Sequence, residues 1–144
     1  MKRGLVSSIV GSVLLLCENK ESPSDWEWDE CLGLLVELKT KNRQTGEQVK
    51  VLVSTQGGGP NTAQRKRLET VLAGDPCPTA VISDSLKLRF ISAAVALFNS
   101  DHRGFTTAER LEAYKFLRLT AVQTRQLEAA ITQMSKLVIE DAKL

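Results

Sequence analysis

Two short stretches hold most of the groups that could do chemistry in this 144-residue chain. The first is Thr55-Gln56-Gly57-Gly58-Gly59-Pro60-Asn61, between an apolar run at Val49, Val51 and Val53 and a basic amphipathic segment containing Arg65. The second is Ser83-Asp84-Ser85, directly after Thr79 to Ile82. Glycine takes positive φ without a Cβ penalty, and Pro60 suits the first turn of a helix, where no N–H is needed. A glycine turn that opens a helix presents backbone N–H groups to an anion, and Arg65, one turn further on, adds a charged donor. The expected chemistry is the holding of a phosphate or carboxylate. The candidate ligand or partner residues are Thr55, Gln56, Gly57, Gly58, Gly59, Asn61, Arg65, Asp84 and Ser85. The competing reading of the glycines is a plain strand-to-helix turn.

Catalytic patterns are missing from the same residues. No G-x-G-x-x-G or Walker spacing is present, and no G-x-S-x-G supports a nucleophile. Asp84 in Ser-Asp-Ser reads first as part of an N-cap cluster for the helix that follows. His102, the single histidine, falls in a polar turn and is expected to face solvent. The three cysteines, Cys17, Cys31 and Cys77, are widely spaced with no C-x-x-C, so neither zinc nor a redox dithiol is indicated. No catalytic residue, metal or cofactor is expected.

The elements that must position the two stretches follow from periodicity. Leu5 to Ile9 and Val13 to Cys17 flank Val10-Gly11-Ser12 and read as a β-hairpin, or else as one bulged strand. Ser24 and Glu27 form a capping box, and Trp28, Cys31, Leu32, Leu35 and Leu38 then recur at helical spacing up to about Thr40. Val49 to Val53 is the central strand. The helix after it is expected to turn Ala63, Leu68, Val71 and Leu72 inward and Arg65, Lys66 and Arg67 outward. Thr79 to Ile82 is a second buried strand, Leu86 to Phe98 a strongly apolar helix, and Arg103 to Phe105 a short edge strand. Thr106/Glu109 and Thr120/Gln123 make two further capping boxes. The last opens a long helix with a stripe at Leu127, Ile131, Met134 and Val138.

Alternating β and α elements imply a mainly parallel sheet with helices packed on it. The expected fold is one α/β domain over residues 1–119, begun by the hairpin, with an extra C-terminal amphipathic helix over 120–144. Ligands in such sheets gather beyond the carboxyl ends of the strands, so residues 54–61 and 83–85 should meet on one rim. The stripe of the final helix either covers the domain or forms a seam to a second copy or a protein partner.

Composition narrows the class. Net charge is +2 from 19 basic and 17 acidic residues, without the basic excess of a nucleic-acid or membrane-surface binder. Lys2 and Arg3 before an apolar run imitate an export signal. However, Leu16 stands where a lipoprotein signal needs a small residue, and no run approaches the ~18 apolar residues of a membrane span. Free thiols in a reducing compartment and a cytoplasmic location are expected.

The segment A-V-I-S-D-S-L-K-L-R-F-I-S-A-A-V-A-L-F, followed by H-R-G-F-T-T-A-E-R-L-E-A-Y-K-F-L, resembles the second half of STAS-like domains, in the branch similar to the CRAL-TRIO lipid-transfer fold. The matching positions are Asp84 after a strand, Arg89 in an apolar helix, Phe105 ending a short strand, and Ala113 and Leu117 in the next helix. The resemblance implies a non-catalytic module for regulation or protein interaction, sometimes switched by phosphorylation or able to bind a nucleotide or apolar ligand. The loop that would carry the switch is Ser54 to Asn61, and it lacks the Asp-Ser-Ser-Gly pattern of phosphorylated members. The first expectation is therefore an interaction module. The second is a binder of a small anionic or amphipathic ligand at the glycine loop.

Overall fold

The computed structural model describes residues 3–88 and 101–143. Five strands form one sheet in sequential order: β1 (Leu5–Val10), β2 (Val13–Glu18), β3 (Lys50–Thr55), β4 (Thr79–Ile82) and β5 (His102–Phe105). β1 and β2 are the expected hairpin, paired antiparallel around Gly11, whose φ of 62° is the left-handed conformation that glycine tolerates. β2, β3, β4 and β5 run parallel. The fold is the α/β class read from the sequence.

β2 reads V-L-L-L-C-E and is buried at every position, as a strand covered on both faces must be. Leu14 and Leu16 face one side, with Trp28, Cys31, Leu32, Leu35 and Leu38 of α1 (Asp25–Thr45). Leu68, Val71 and Leu72 of α2 (Thr62–Leu72) join the same layer. Right-handed crossovers that always step in the same direction put successive helices on the same face. Val13, Leu15 and Cys17 face the other side, which is closed by Ala113 and Tyr114 of α3 (Arg110–Phe116), by Leu117, and by α4 (Ala121–Lys143).

The Ser24/Glu27 capping box is present, and its glutamate does more than cap. Glu27 Oε1 accepts from the Ser24 N–H at 3.0 Å, while Oε2 accepts from Gly4 N–H at 2.8 Å and Leu5 N–H at 3.0 Å. One carboxylate thus ties the start of β1 to the first turn of α1. Burial alone would raise its pKa, but the bonds from Leu5, Ser24 and Gly4 outweigh that and hold it below the usual value.

Several boundaries differ from expectation. α1 continues past Thr40 to Thr45 and stops at Gly46, with φ 76°, because residues 39–45 contain neither Gly nor Pro to break the helix before a left-handed residue is available. Pro60 lies before α2 rather than in its first turn; Asn61 is the N-cap and Gln64 completes a capping box. Ala63 is exposed and Gln64 is the buried residue, 1 % exposed. Gln64 Nε2 donates to Pro23 O at 2.9 Å, and Trp28 Nε1 donates to Gln64 O at 2.9 Å, so a polar lock joins the starts of α1 and α2. His102 belongs to β5 and is half-buried, and burial lowers its pKa. The expected Leu86–Phe98 helix begins at residues 86–88; the rest, with Arg89, lies outside the described residues.

The Thr106/Glu109 box opens a short 3-10 turn, Thr107–Glu109, and the Thr120/Gln123 box opens α4. Leu127, Met134 and Val138 are buried against the sheet, and Ile131 is partly buried. The stripe therefore covers the domain itself. A chain ending at Leu119 would bare Val13, Leu15 and Leu52. We expect it to lose cooperative thermal unfolding and to bind a hydrophobic dye, and a truncated chain that still melts in one sharp transition would contradict this packing.

Candidate functional site

The two stretches named from the sequence come together at the carboxyl ends of β2, β3 and β4. A Cβ built on Gly57 would stand 3.4 Å from Ser85 Oγ, so the glycine turn and the loop after β4 are in contact range. Between them lies a cleft of about 450 Å³. Ser54, Thr55 and Gln56 line it from the end of β3, Asp84 and Ser85 from the loop after β4, and Cys17 and Glu18 from the end of β2. Thr107, Ser135 and Val138 complete the wall from the other layer.

The glycine turn is built for packing rather than for an anion. Gly57 has φ 135°, a region closed to most side chains, and its N–H donates to Thr55 Oγ1 at 3.1 Å. Gly58 N–H donates to Asn19 O at 2.8 Å, and Thr55 Oγ1 donates to Gly58 O at 2.8 Å. Two N–H groups at the start of α2 are also taken: Asn61 N–H donates to Gln64 Oε1 at 3.0 Å, and Gln64 N–H to Asn61 Oδ1 at 2.8 Å. Arg65 lies on the exposed face of α2 with its guanidinium on Thr62 Oγ1. The donors of Gly57, Gly58, Asn61 and Gln64 are therefore spent within the turn and its cap, and the Arg65 guanidinium is held by Thr62. Of the nine candidates, Thr55, Gln56, Asp84 and Ser85 line the cleft, with Gly57 against Ser85. Gly58, Gly59, Asn61 and Arg65 are not in its wall.

Asp84 does not cap the helix after it. Its carboxylate reaches 23 residues along the chain and accepts from Thr107 N–H at 3.0 Å and Thr107 Oγ1 at 2.9 Å. Ser85 is the cap: its hydroxyl accepts from Leu88 N–H at 3.3 Å. The Asp84–Thr107 pair closes one end of the cleft and ties the rim to the segment after β5.

Sequence reasoning missed Glu18, which lines the cleft and is 3 % exposed. Its Oε2 has no hydrogen-bond partner among the described residues. Burial, reinforced by the charge of Glu27, pushes its pKa from 4.5 up to about 8. The signal was available: an acid ends an otherwise apolar strand, at the carboxyl edge where sheet proteins of this class place their sites. Beside it, burial raises the Cys17 thiol to about 11, so it is no nucleophile at neutral pH.

The described residues hold no group of three or more His, Cys, Asp or Glu side chains able to hold a metal, and no helix among them is long and apolar enough to cross a membrane. Fold and site together define an α/β protein whose described residues form a polar cleft at the carboxyl rim of its parallel strands. Comparison of the chain with protein-family models, curated proteins and solved structures found no match.

Proposed function

We propose that the chain is a non-catalytic, STAS-like binding module that takes a small polar molecule in the rim cleft and works by being occupied or empty. One observation carries this reading: two loops distant in sequence, residues 54–57 and 84–85, converge with the end of β2 around a cleft of about 450 Å³. That volume matches the lower range of small-ligand sites, which use a few convergent polar groups on a rigid scaffold. The order of elements supports the STAS-like assignment, with Asp84 after β4, Phe105 ending β5, and Ala113 and Leu117 buried beneath it. A protein partner, if the occupied state is read by one, would meet the outer face of α4, where Val122 and Leu137 are exposed.

Amide-resolved NMR of the full chain against a library of small polar compounds tests the reading. Binders are expected to shift the amides of Gln56, Gly57, Ser85 and Thr107. Ser135→Trp, which places an indole in the cleft wall, should weaken them at least tenfold while the protein still melts cooperatively. Binders that map elsewhere, or bind the folded Trp variant as well, would remove the cleft from consideration.

A further inference from the structure

Glu18 gives the cleft a chemical preference, on the reading that the cleft is a ligand site. It is the last residue of β2, on the α1 side with Leu14 and Leu16, where the cleft rounds the carboxyl edge of the sheet. The titratable groups around it are Glu27 and Cys31 of α1, Cys17 on its own strand and Asp84 in the opposite wall. Cys17 and Cys31 are neutral at physiological pH, because burial raises their thiols to about 11 and about 12. The described lining residues include two carboxyls and neither lysine nor arginine. Glu18 Oε2 is left without a partner, a buried acceptor that a cationic N–H donor would satisfy.

We propose that the cleft binds a small ligand carrying an ammonium group, which pairs with the Glu18 carboxylate while hydroxyl groups such as those of Ser54 and Ser135 meet its other polar atoms. In the empty protein the carboxyl is held neutral by burial and by Glu27. An incoming ammonium reverses that balance, since an opposite charge at contact favours the carboxylate. The carboxyl's own O–H proton then passes to solvent, and an ion pair is left behind. No bond to the ligand forms or breaks. Binding and proton release are one event, and the affinity must rise with pH until Glu18 is ionised in the empty protein.

The test uses three probes of matched size on the full chain: ethanolamine, ethylene glycol and glycolate. Ethanolamine alone is expected to shift the cleft amides. Its affinity should rise close to tenfold per pH unit between pH 6 and 7.5, the slope for one released proton. Glu18→Gln should lose that slope and bind at least tenfold more weakly, while melting cooperatively. If ethylene glycol or glycolate moves those amides and ethanolamine does not, the charge assignment is wrong although the cleft still binds. If no probe moves them, both the assignment and the cleft reading fail. Equal ethanolamine binding with an unchanged slope in Glu18→Gln would show that Glu18 is not the partner and overturn the proposal.

Discussion

Gly58→Ala should abolish the folded state or destabilise it by more than ~3 kcal/mol, the range reached when a side chain is forced into packed backbone. A Cβ at this position would overlap the carbonyl oxygen of Glu21 and stand 2.6 Å from that of Asn19. Neither atom can swing aside as a side-chain tip would. Asn19 O is already engaged by the Gly58 N–H, and Asn19 N–H in turn donates to Gly4 O at 2.9 Å. Relieving the clash therefore pulls on the junction of β1, β2 and the glycine turn at once. The neighbours provide the controls. Gly59 has open space around its Cβ position and no positive φ, so Gly59→Ala should change stability by less than ~0.5 kcal/mol, as surface substitutions do. Gly57→Ala falls between, through backbone strain at φ 135°. Denaturant melts of the three variants check the order, and a Gly58→Ala protein as stable as wild type would refute the close approach.

Glu18→Gln should remove a large pH dependence of stability. Glu18 titrates near 4.5 when unfolded and at about 8 when folded. Between those values the folded protein holds a proton that the unfolded chain releases, so stability falls as pH rises. The slope is about 1.4 kcal/mol per pH unit, and the full span gives a loss of up to ~5 kcal/mol by pH 8. The glutamine variant stays neutral and should not show this limb, at the cost of leaving a buried amide to be satisfied. Glu27 acts oppositely: its pKa is depressed by its hydrogen bonds, so its contribution is present above pH 4.5 and lost as pH falls through the folded value. The buried thiols of Cys17 and Cys31 and the partly buried thiol of Cys77 titrate in the folded chain at about 11 to 12, so they add a further alkaline loss only above pH 9. Denaturant midpoints from pH 4.5 to 8.5 isolate Glu18. Parallel profiles for wild type and variant would mean that its carboxyl is not held neutral.

A buried acid without a partner is costly, and a glutamine or leucine in its place would give a more stable scaffold. Proteins accept such costs at sites where the strained group acts. The expected gain in stability of Glu18→Gln and its expected loss of ethanolamine binding are therefore two sides of one property. The first is read from unfolding, the second from titration.

Local rules made much of the architecture legible. The capping pairs Ser24/Glu27, Thr106/Glu109 and Thr120/Gln123 occur where the spacing places them, because a cap is satisfied within four residues. The stripe at Trp28, Cys31, Leu32, Leu35 and Leu38 is fully buried for the same reason: 3.6-residue periodicity reports one face. The α/β alternation implied a parallel sheet, which is present, and a shared rim for residues 54–61 and 83–85, of which 54–57 and 84–85 meet. The same rules erred where a partner came from far away. Asp84 looked like a local cap and instead bonds Thr107. Ala63 was expected to face inward and is exposed, while Gln64 takes the buried place through bonds to Pro23 and Trp28.

By itself the sequence determined the class of fold, three capping pairs that open helical segments and the approximate rim where a site would form, because each follows from short-range periodicity and capping. Only the tertiary structure decided what that rim can hold. It packed Asn19 against Gly58, whose N–H its carbonyl takes, and turned Arg65 to the exposed face of α2. It also carried Glu18 out of water beside Glu27. Burial and long-range neighbours set the charge of a site, and neither is written in the spacing of residues along the chain.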